Sequence, residues 1–231
     1  MNKAAFDEFG ANYDEALHKG ISLSGEKKDF FAEGRVRLLS RVLPPKTVPR
    51  VLDYGCGTGS ATPFLLRLPG VTQLVGVDVS DRSLDRARQD WQRPAVEFHN
   101  LTRLPGLAPF DLVFCNGVFH HIPPQERASA FGQIHQALVP GGHLAFWENN
   151  PWNPGTRWVM SRIPFDRDAM MLWPGSSRRS ICAAGLEVLL THFAFVFPKA
   201  LGALRFLEWP LRSLPLGAQY LILAKKKVSV P

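Results

Sequence analysis

The chain has 231 residues, with 27 Lys and Arg against 20 Asp and Glu, and a formal net charge of +7. That length suits one domain of roughly 150 residues plus a cap. A content of 45% apolar and 20% charged residues excludes disordered, collagenous and coiled-coil chains, while the positive balance leaves nucleic acid, a membrane surface or an anionic substrate as partners.

In chain order, a loose helix is expected over Phe6 to Leu17, then a Gly/Ser turn. An amphipathic helix follows from Lys27 to Val42, with Phe31, Leu38, Leu39 and Val42 on one face, ended by Pro44, Pro45 and Pro49. From Arg50 the pattern alternates. Strands are expected at Arg50–Tyr54, Gln73–Val79, Ala95–Asn100, Phe110–Asn116 and His143–Glu148. Helices are expected at Gly59–Leu68, Asp81–Trp91 (capped by Ser80) and Pro124–Leu138, the last stopped by Pro140-Gly141-Gly142. Alternation of this kind argues for a parallel sheet covered by helices on both faces. The stretch Asn149–Ser180 is rich in Pro, Trp and Arg without a clean period. Two late strands, Leu186–Phe197 and Ala218–Ala224, suggest an antiparallel edge hairpin; the apolar stretch Leu201–Leu216 between them is expected to pack into its core, with a lid, a dimer contact or a membrane-leaning helix as the alternatives.

Other classes fall away. No apolar run approaches the roughly 20 residues that cross a bilayer, and the N-terminal segment has no signal-peptide core. Cys56, Cys115 and Cys182 are odd in number and lack CxxC spacing. Neither a disulfide framework nor a zinc knuckle is expected, and a reducing cytoplasm fits.

The chemistry concentrates in VLDYGCGTGS, residues 51–60. A strand ends in Asp53 and gives way to Gly55, Cys56, Gly57, Thr58 and Gly59, then a helix. Glycines let the backbone turn sharply and approach a ligand, and the helix start offers free N–H groups. Asp53 would repel a pyrophosphate but suits an ammonium group. Asp78 ends the second strand, 19 residues after Gly59, where a carboxylate can accept from both ribose hydroxyls. The pair calls for an adenosine that carries an amino acid, and it argues against a nicotinamide dinucleotide.

These blocks resemble the class I S-adenosylmethionine-dependent methyltransferases of the small-molecule type. VLDYGCGTG and VGVDVS look like their first two motifs. VEFHNLTRLPG, FDLVFCNGVFHHI and ALVPGGHLAFWE look like the third-, fourth- and fifth-strand blocks. The resemblance implies an α/β, Rossmann-like three-layer sandwich whose seven-stranded sheet runs 3-2-1-4-5-7-6, with strand 7 antiparallel. It implies S-adenosylmethionine as cofactor, with Gly55, Cys56, Gly57 and Gly59 under its methionine part and Asp53 on its amino group. It further implies Asp78 on the ribose, Val79 packed on the adenine, Leu101 offering a backbone N–H to its ring, Asn100 toward the adenine amine, Asn116 near the sulfonium, and Tyr13 as a lid. His120 and His121 are the candidates for a general base. No NPPY-type tetrad follows the fourth strand; CNGVF stands there, which disfavours an exocyclic base amine or glutamine as acceptor.

One domain is expected: a helical lid over 1–45, a cofactor core over 50–148, an acceptor-side insertion over 149–182 and a hairpin region over 186–231. Trp147, Asn149, Trp152 and Arg157 are the acceptor-side candidates. A small-molecule or lipid-type acceptor, anionic in character, is the leading expectation, with no metal. An RNA methyltransferase and a non-catalytic binder of the cofactor are the alternatives. The basic residues are spread along the chain without an aromatic–basic signature, which disfavours nucleic acid.

Overall fold

The alternation folds into one seven-stranded sheet. Its strands are β1 (Arg50–Tyr54), β2 (Gln73–Asp78), β3 (Val96–Asn100), β4 (Phe110–Asn116), β5 (Leu138–Asn149), β6 (Leu186–Ala194) and β7 (Gln219–Lys226). They run in the order β3-β2-β1-β4-β5-β7-β6. The first five are parallel, and β7 is antiparallel to both β5 and β6. The order implied by the family resemblance and the late hairpin are both present. This computed structural model describes residues 24–44, 47–107, 109–162 and 169–228. The helix expected over Phe6–Leu17, the lid residue Tyr13, and Asp166, Arg167 and Asp168 lie outside the described residues.

Period-two alternation along buried strands gives the sheet two apolar faces. Leu52, Val75, Val113, Leu144 and Phe146 face one way, onto Phe131 and Ile134 of α4 (Pro124–Ala137) and Ile181 of α6 (Pro174–Ala183). Val51, Leu74, Leu112, Phe114 and Trp147 face the other. They meet Val36 and Leu39 of α1 (Lys28–Val42), Leu65 of α2 (Thr62–Leu65) and Leu84 of α3 (Asp81–Trp91). Ser80 caps α3 by accepting from the Ser83 N–H at 3.2 Å. Burial of a phenylalanine such as Phe114 contributes roughly 1.5–3 kcal/mol, so both faces are needed for a stable sheet.

Several boundaries move, each for a local reason. The expected helix over Gly59–Leu68 contracts to the four residues of α2, with Pro63 in its first turn. β5 starts at Leu138, because Pro140, Gly141 and Gly142 form an irregularity inside the strand: Phe110 pairs with Leu138, and pairing resumes at Leu112 with His143. β6 stops at Ala194, where Phe195 turns to a φ of 64°. On α1 the buried stripe is Ala32, Val36 and Leu39 with Gly34. It is shifted from the expected one because the Phe195 ring lies over Gly34, within 2.6 Å of where a Cβ would be.

Two further helices sit in the insertion, α5 (Pro154–Arg162) and α6. The stretch expected to pack into the hairpin core does not. It forms 3-10 turns over Lys199–Leu207 and a short α7 (Glu208–Leu211), and neither contains a buried residue. No described helix is long and apolar enough to cross a membrane.

Candidate cofactor and acceptor site

Parallel strands open their connecting loops at the carboxyl edge of the sheet, and the candidate residues gather there. After β1 the chain doubles back at Gly55 (φ 75°) and Gly57 (φ 52°), left-handed conformations that favour glycine. The Gly55 and Cys56 N–H groups donate to the Val77 carbonyl at 2.8 and 3.0 Å. The Gly57 N–H donates to Asp78 Oδ2 at 2.8 Å, and the Ser80 N–H to Asp78 Oδ1 at 2.9 Å. Asp78 thus ties the glycine loop to the end of β2. A carboxylate has about four lone-pair sites, so it keeps capacity for hydroxyl donors. A Cβ at Gly57 would meet nothing within 4 Å; the open side of the loop is backbone a ligand can approach closely.

Asp53 is 3% exposed, and its Oδ2 has no hydrogen-bond partner among the described residues. Burial, and then the Asp78 carboxylate, lift its carboxyl to about 7, with the Arg35 guanidinium of α1 acting against them. Asn116, at the end of β4, likewise carries a buried Oδ1 without a partner. An ammonium beside Asp53 and a cationic centre beside Asn116 would satisfy both oxygens, so the residues fit S-adenosylmethionine. Arg35 itself donates from Nε to Gln219 Oε1 at 2.9 Å, and Gln219 Nε2 donates to Asn149 Oδ1 at 3.1 Å. This chain joins α1, β7 and β5 along the edge that holds Asp53.

A cavity of about 240 Å³ adjoins the loop, lined by Tyr54, Gly55, Val77, Asp78, Val79 and Leu101 and, from the far side, by Val118, Ile122, Glu126, Ser129, Ala130 and Gln133. Val79 and Leu101 thus line the same cavity as Asp78. The wall from α4 escaped sequence reasoning, since an amphipathic helix does not announce which turn meets a pocket. Asn100 turns elsewhere: its Oδ1 accepts from the Thr102 N–H and hydroxyl, and its amide donates to Asp81 Oδ1 at 2.8 Å. It caps the 3-10 turn Leu101–Gly106, so its carbonyl is already engaged and not offered to an adenine amine. Cys56 is packed against Gly76, and burial pushes its thiol up, away from thiolate chemistry.

Past β4 the 3-10 turn Phe119–His121 places two imidazoles with ring centroids 4.0 Å apart. They differ sharply. His120 Nδ1 lies 2.6 Å from Glu148 Oε2, and Glu148 Oε1 accepts from the Phe119 N–H at 2.8 Å. Both side chains are almost fully buried, 4% and 1% exposed. Donation from Nδ1 to the carboxylate places the lone pair of a neutral ring on Nε2, the form a general base needs. Burial, and then His120, pull His121 down to about 2, leaving it neutral and weakly basic. Glu148 is the partner sequence reasoning did not assign. It stands 28 residues away in the chain, and only the pairing of β4 with β5 brings the two together. The insertion closes over this pair: the Met170 N–H donates to the His120 carbonyl at 3.0 Å, and the Tyr220 hydroxyl, opposite Glu148 in the β5–β7 ladder, donates to the Leu172 carbonyl at 3.0 Å.

The acceptor-side residues separate. Trp147 is fully buried on the α1 face, 6.4 Å from the Phe195 ring, because alternation along β5 aligns it with Ala145. It is a core residue, not a pocket wall. Asn149 is held by Gln219 and by the Met160 sulfur. Trp152 is exposed and meets Trp173 edge-to-face at 5.4 Å, and Arg157 is exposed on α5.

Residues 51–142 match the family described as a methyltransferase domain. The trans-aconitate 2-methyltransferase of Azoarcus sp. (strain BH72) is 34% identical over 140 residues, which are 58% of this chain and 53% of that protein. That of Variovorax paradoxus (strain S110) is 29% identical over 185 residues, 74% of this chain and 70% of that protein. The chain spans about half the length, or less, of the curated relatives it first matches. Among solved structures, the magnesium protoporphyrin IX methyltransferase of Synechocystis PCC 6803, with bound SAH, shares the fold at a TM-score of 0.67 and 15% identity, over 97% of this chain and 98% of that one. Residues 51–142 thus carry a methyltransferase-domain match, and the sheet order is that of the Rossmann-like methyltransferase fold.

Proposed function

We propose that the protein transfers the methyl group of S-adenosylmethionine to a small, anionic acceptor by in-line displacement. The observation that carries this reading is the carboxyl edge of the sheet. There Asp78 anchors the glycine loop, and Asp53 and Asn116 hold buried oxygens without partners among the described residues. When bound, the cofactor supplies an electrophilic methyl group on a sulfonium. Asp78 accepts from its ribose hydroxyls, Asp53 receives its ammonium, and Val79 and Leu101 flank its adenine. Gly55, Cys56, Gly57 and Gly59 pass beneath its methionine part, and Asn116 turns its carbonyl oxygen toward the positive charge. Alignment is the main contribution such a site makes, and fixed dipoles around a cation that disappears in the transition state add to it.

A proton must leave only if the acceptor is an un-ionised hydroxyl or amine. His120, oriented by Glu148, is the group to take it. An already ionised carboxylate needs no base. Residues 50–148 form the cofactor unit in this reading, and 149–182 the acceptor wall, with Asn149, Trp152 and Arg157 on it. The three free thiols, two of them buried, suit a cytoplasmic setting.

The relatives named for trans-aconitate make small carboxylic acids the first acceptors to assay. The test is incubation with methyl-labelled cofactor and, separately, trans-aconitate, other small carboxylic acids, a lipid extract and total tRNA. Label in a small anionic molecule supports the reading. Label only in tRNA moves the protein to RNA methylation, and cofactor binding with no labelled product reduces it to a binder.

A further inference from the structure

The connection between β6 and β7 carries a second feature, outside the cavity lined by Asp78. From Lys199 to Leu211 no residue is buried, yet the segment is rich in Leu, Phe and Trp. Leu201, Leu204, Phe206, Trp209, Leu214 and Leu216 are all exposed, Phe206 by 73%. Exposed apolar residues scattered singly need no explanation, but a contiguous group marks an interaction surface. This group continues past the segment. Asn153 Nδ2 donates to the Leu216 carbonyl at 2.8 Å, joining it to the start of α5. Phe193 lines the groove beneath the segment and lies 6.2 Å from the exposed Trp152 ring.

Positive charge borders the apolar group. Arg212 and Arg41 both lie over the Trp209 ring, at 4.4 and 5.8 Å. Arg205 lies over Phe30 at 4.4 Å. These arginines and Arg37 border a groove of about 340 Å³ between α1 and the segment. Among the described residues, Glu208 accepts from the Val196 and Phe197 N–H groups at 3.1 Å, and Glu26 pairs with Arg205 at 2.8 Å, so these acids are engaged. The surface is therefore apolar at its centre and cationic at its rim. A guanidinium stacked on an indole keeps its charge at phosphate level while the ring enters the acyl boundary. Short apolar helical turns with basic flanks are the pattern that lies in the plane of an anionic bilayer. The rim charge selects phosphate over a neutral partner surface.

We propose that residues 199–216, with Arg37 and Arg41 of α1, dock the protein reversibly on an anionic phospholipid bilayer. The proposal does not depend on the methyl acceptor.

Cosedimentation of the full chain with phosphatidylcholine vesicles, with and without about 30% phosphatidylglycerol, tests it. Binding is expected to the anionic vesicles only, and to weaken as salt rises. Leu204→Glu with Phe206→Glu should lower the bound fraction by about tenfold. Arg86→Glu, on the exposed side of α3, should leave binding close to wild type. Cofactor affinity by calorimetry serves as the folding control for each variant. The proposal is overturned by absence of binding to the anionic vesicles, by equal binding to pure phosphatidylcholine, or by unchanged binding of the double variant. A concentration-dependent dimer that the double variant abolishes, without vesicle binding, would assign the face to a second copy instead.

Discussion

Asp53 sets stability against binding. Its carboxyl is lifted from 3.8 to about 7 by burial and by Asp78. A carboxyl raised on folding favours the folded state below about 3.8, where both states are protonated. That advantage is lost as pH rises through about 7. The ligand-free protein should therefore lose stability between pH 4 and pH 7 through this residue. Asp53→Asn removes the titration: its Tm should exceed wild type by about 5 °C or more at pH 8 and by much less at pH 4. Cofactor affinity should fall by about tenfold, because the ammonium loses its charged partner. Thermal unfolding at the two pH values, with calorimetry, checks both signs; a variant less stable than wild type at pH 8 would contradict the burial of an ionised carboxylate. Asp53 and Asp78 are legible in the sequence because the glycines between them fix how the chain turns. Asn100 and Trp147 are not. The first is diverted by a local cap with Thr102, and the second by a face that depends on strand register.

At the scale of elements, β4 and β5 bring together what the chain separates. Asn116 stands opposite Trp147 in their ladder, and one residue further along β5 Glu148 meets the turn that follows β4. If His120 serves as base, Glu148→Gln should lower kcat by about tenfold or more. Removing the neighbouring negative charge also shifts the pH–rate midpoint downward, since imidazolium loses its stabilisation. Cofactor KM should hold within about twofold. A fall in kcat with an unmoved midpoint would leave Glu148 a structural role only. The strands were readable to within a few residues because buried parallel strands are nearly continuous apolar runs. The insertion helices were not. Each starts at a proline, and α6 buries Pro174, Ser177 and Ile181 while α5 buries Thr156 and Met160. The helical spacing is present, but polar residues occupy its inner positions and mask the apolar period.

Across the whole molecule, charge is sorted by place. Acids sit at the carboxyl edge, where Asp78 anchors the glycine loop and Asp53 is buried beside it. Arginines sit outside, many stacked on aromatic rings, as Arg162 is on Trp158 at 4.3 Å. The net charge of +7 is thus an outer property, and Arg37, Arg41, Arg205 and Arg212 are the part of it that borders the groove beside the exposed 199–216 segment. That segment was expected to pack into the core because its apolar content matches a buried element. Only the structure reveals that short turns leave those side chains facing solvent.

The central claim is that the Asp53–Asp78 edge binds S-adenosylmethionine. Calorimetric titration of the wild-type chain and Asp78→Ala with S-adenosylmethionine tests it most directly. Wild type should bind saturably at one site. Asp78→Ala should bind about a hundredfold more weakly, the loss of two hydrogen bonds to a charged acceptor. No saturable heat with wild type, or equal affinity in the variant, would contradict the account.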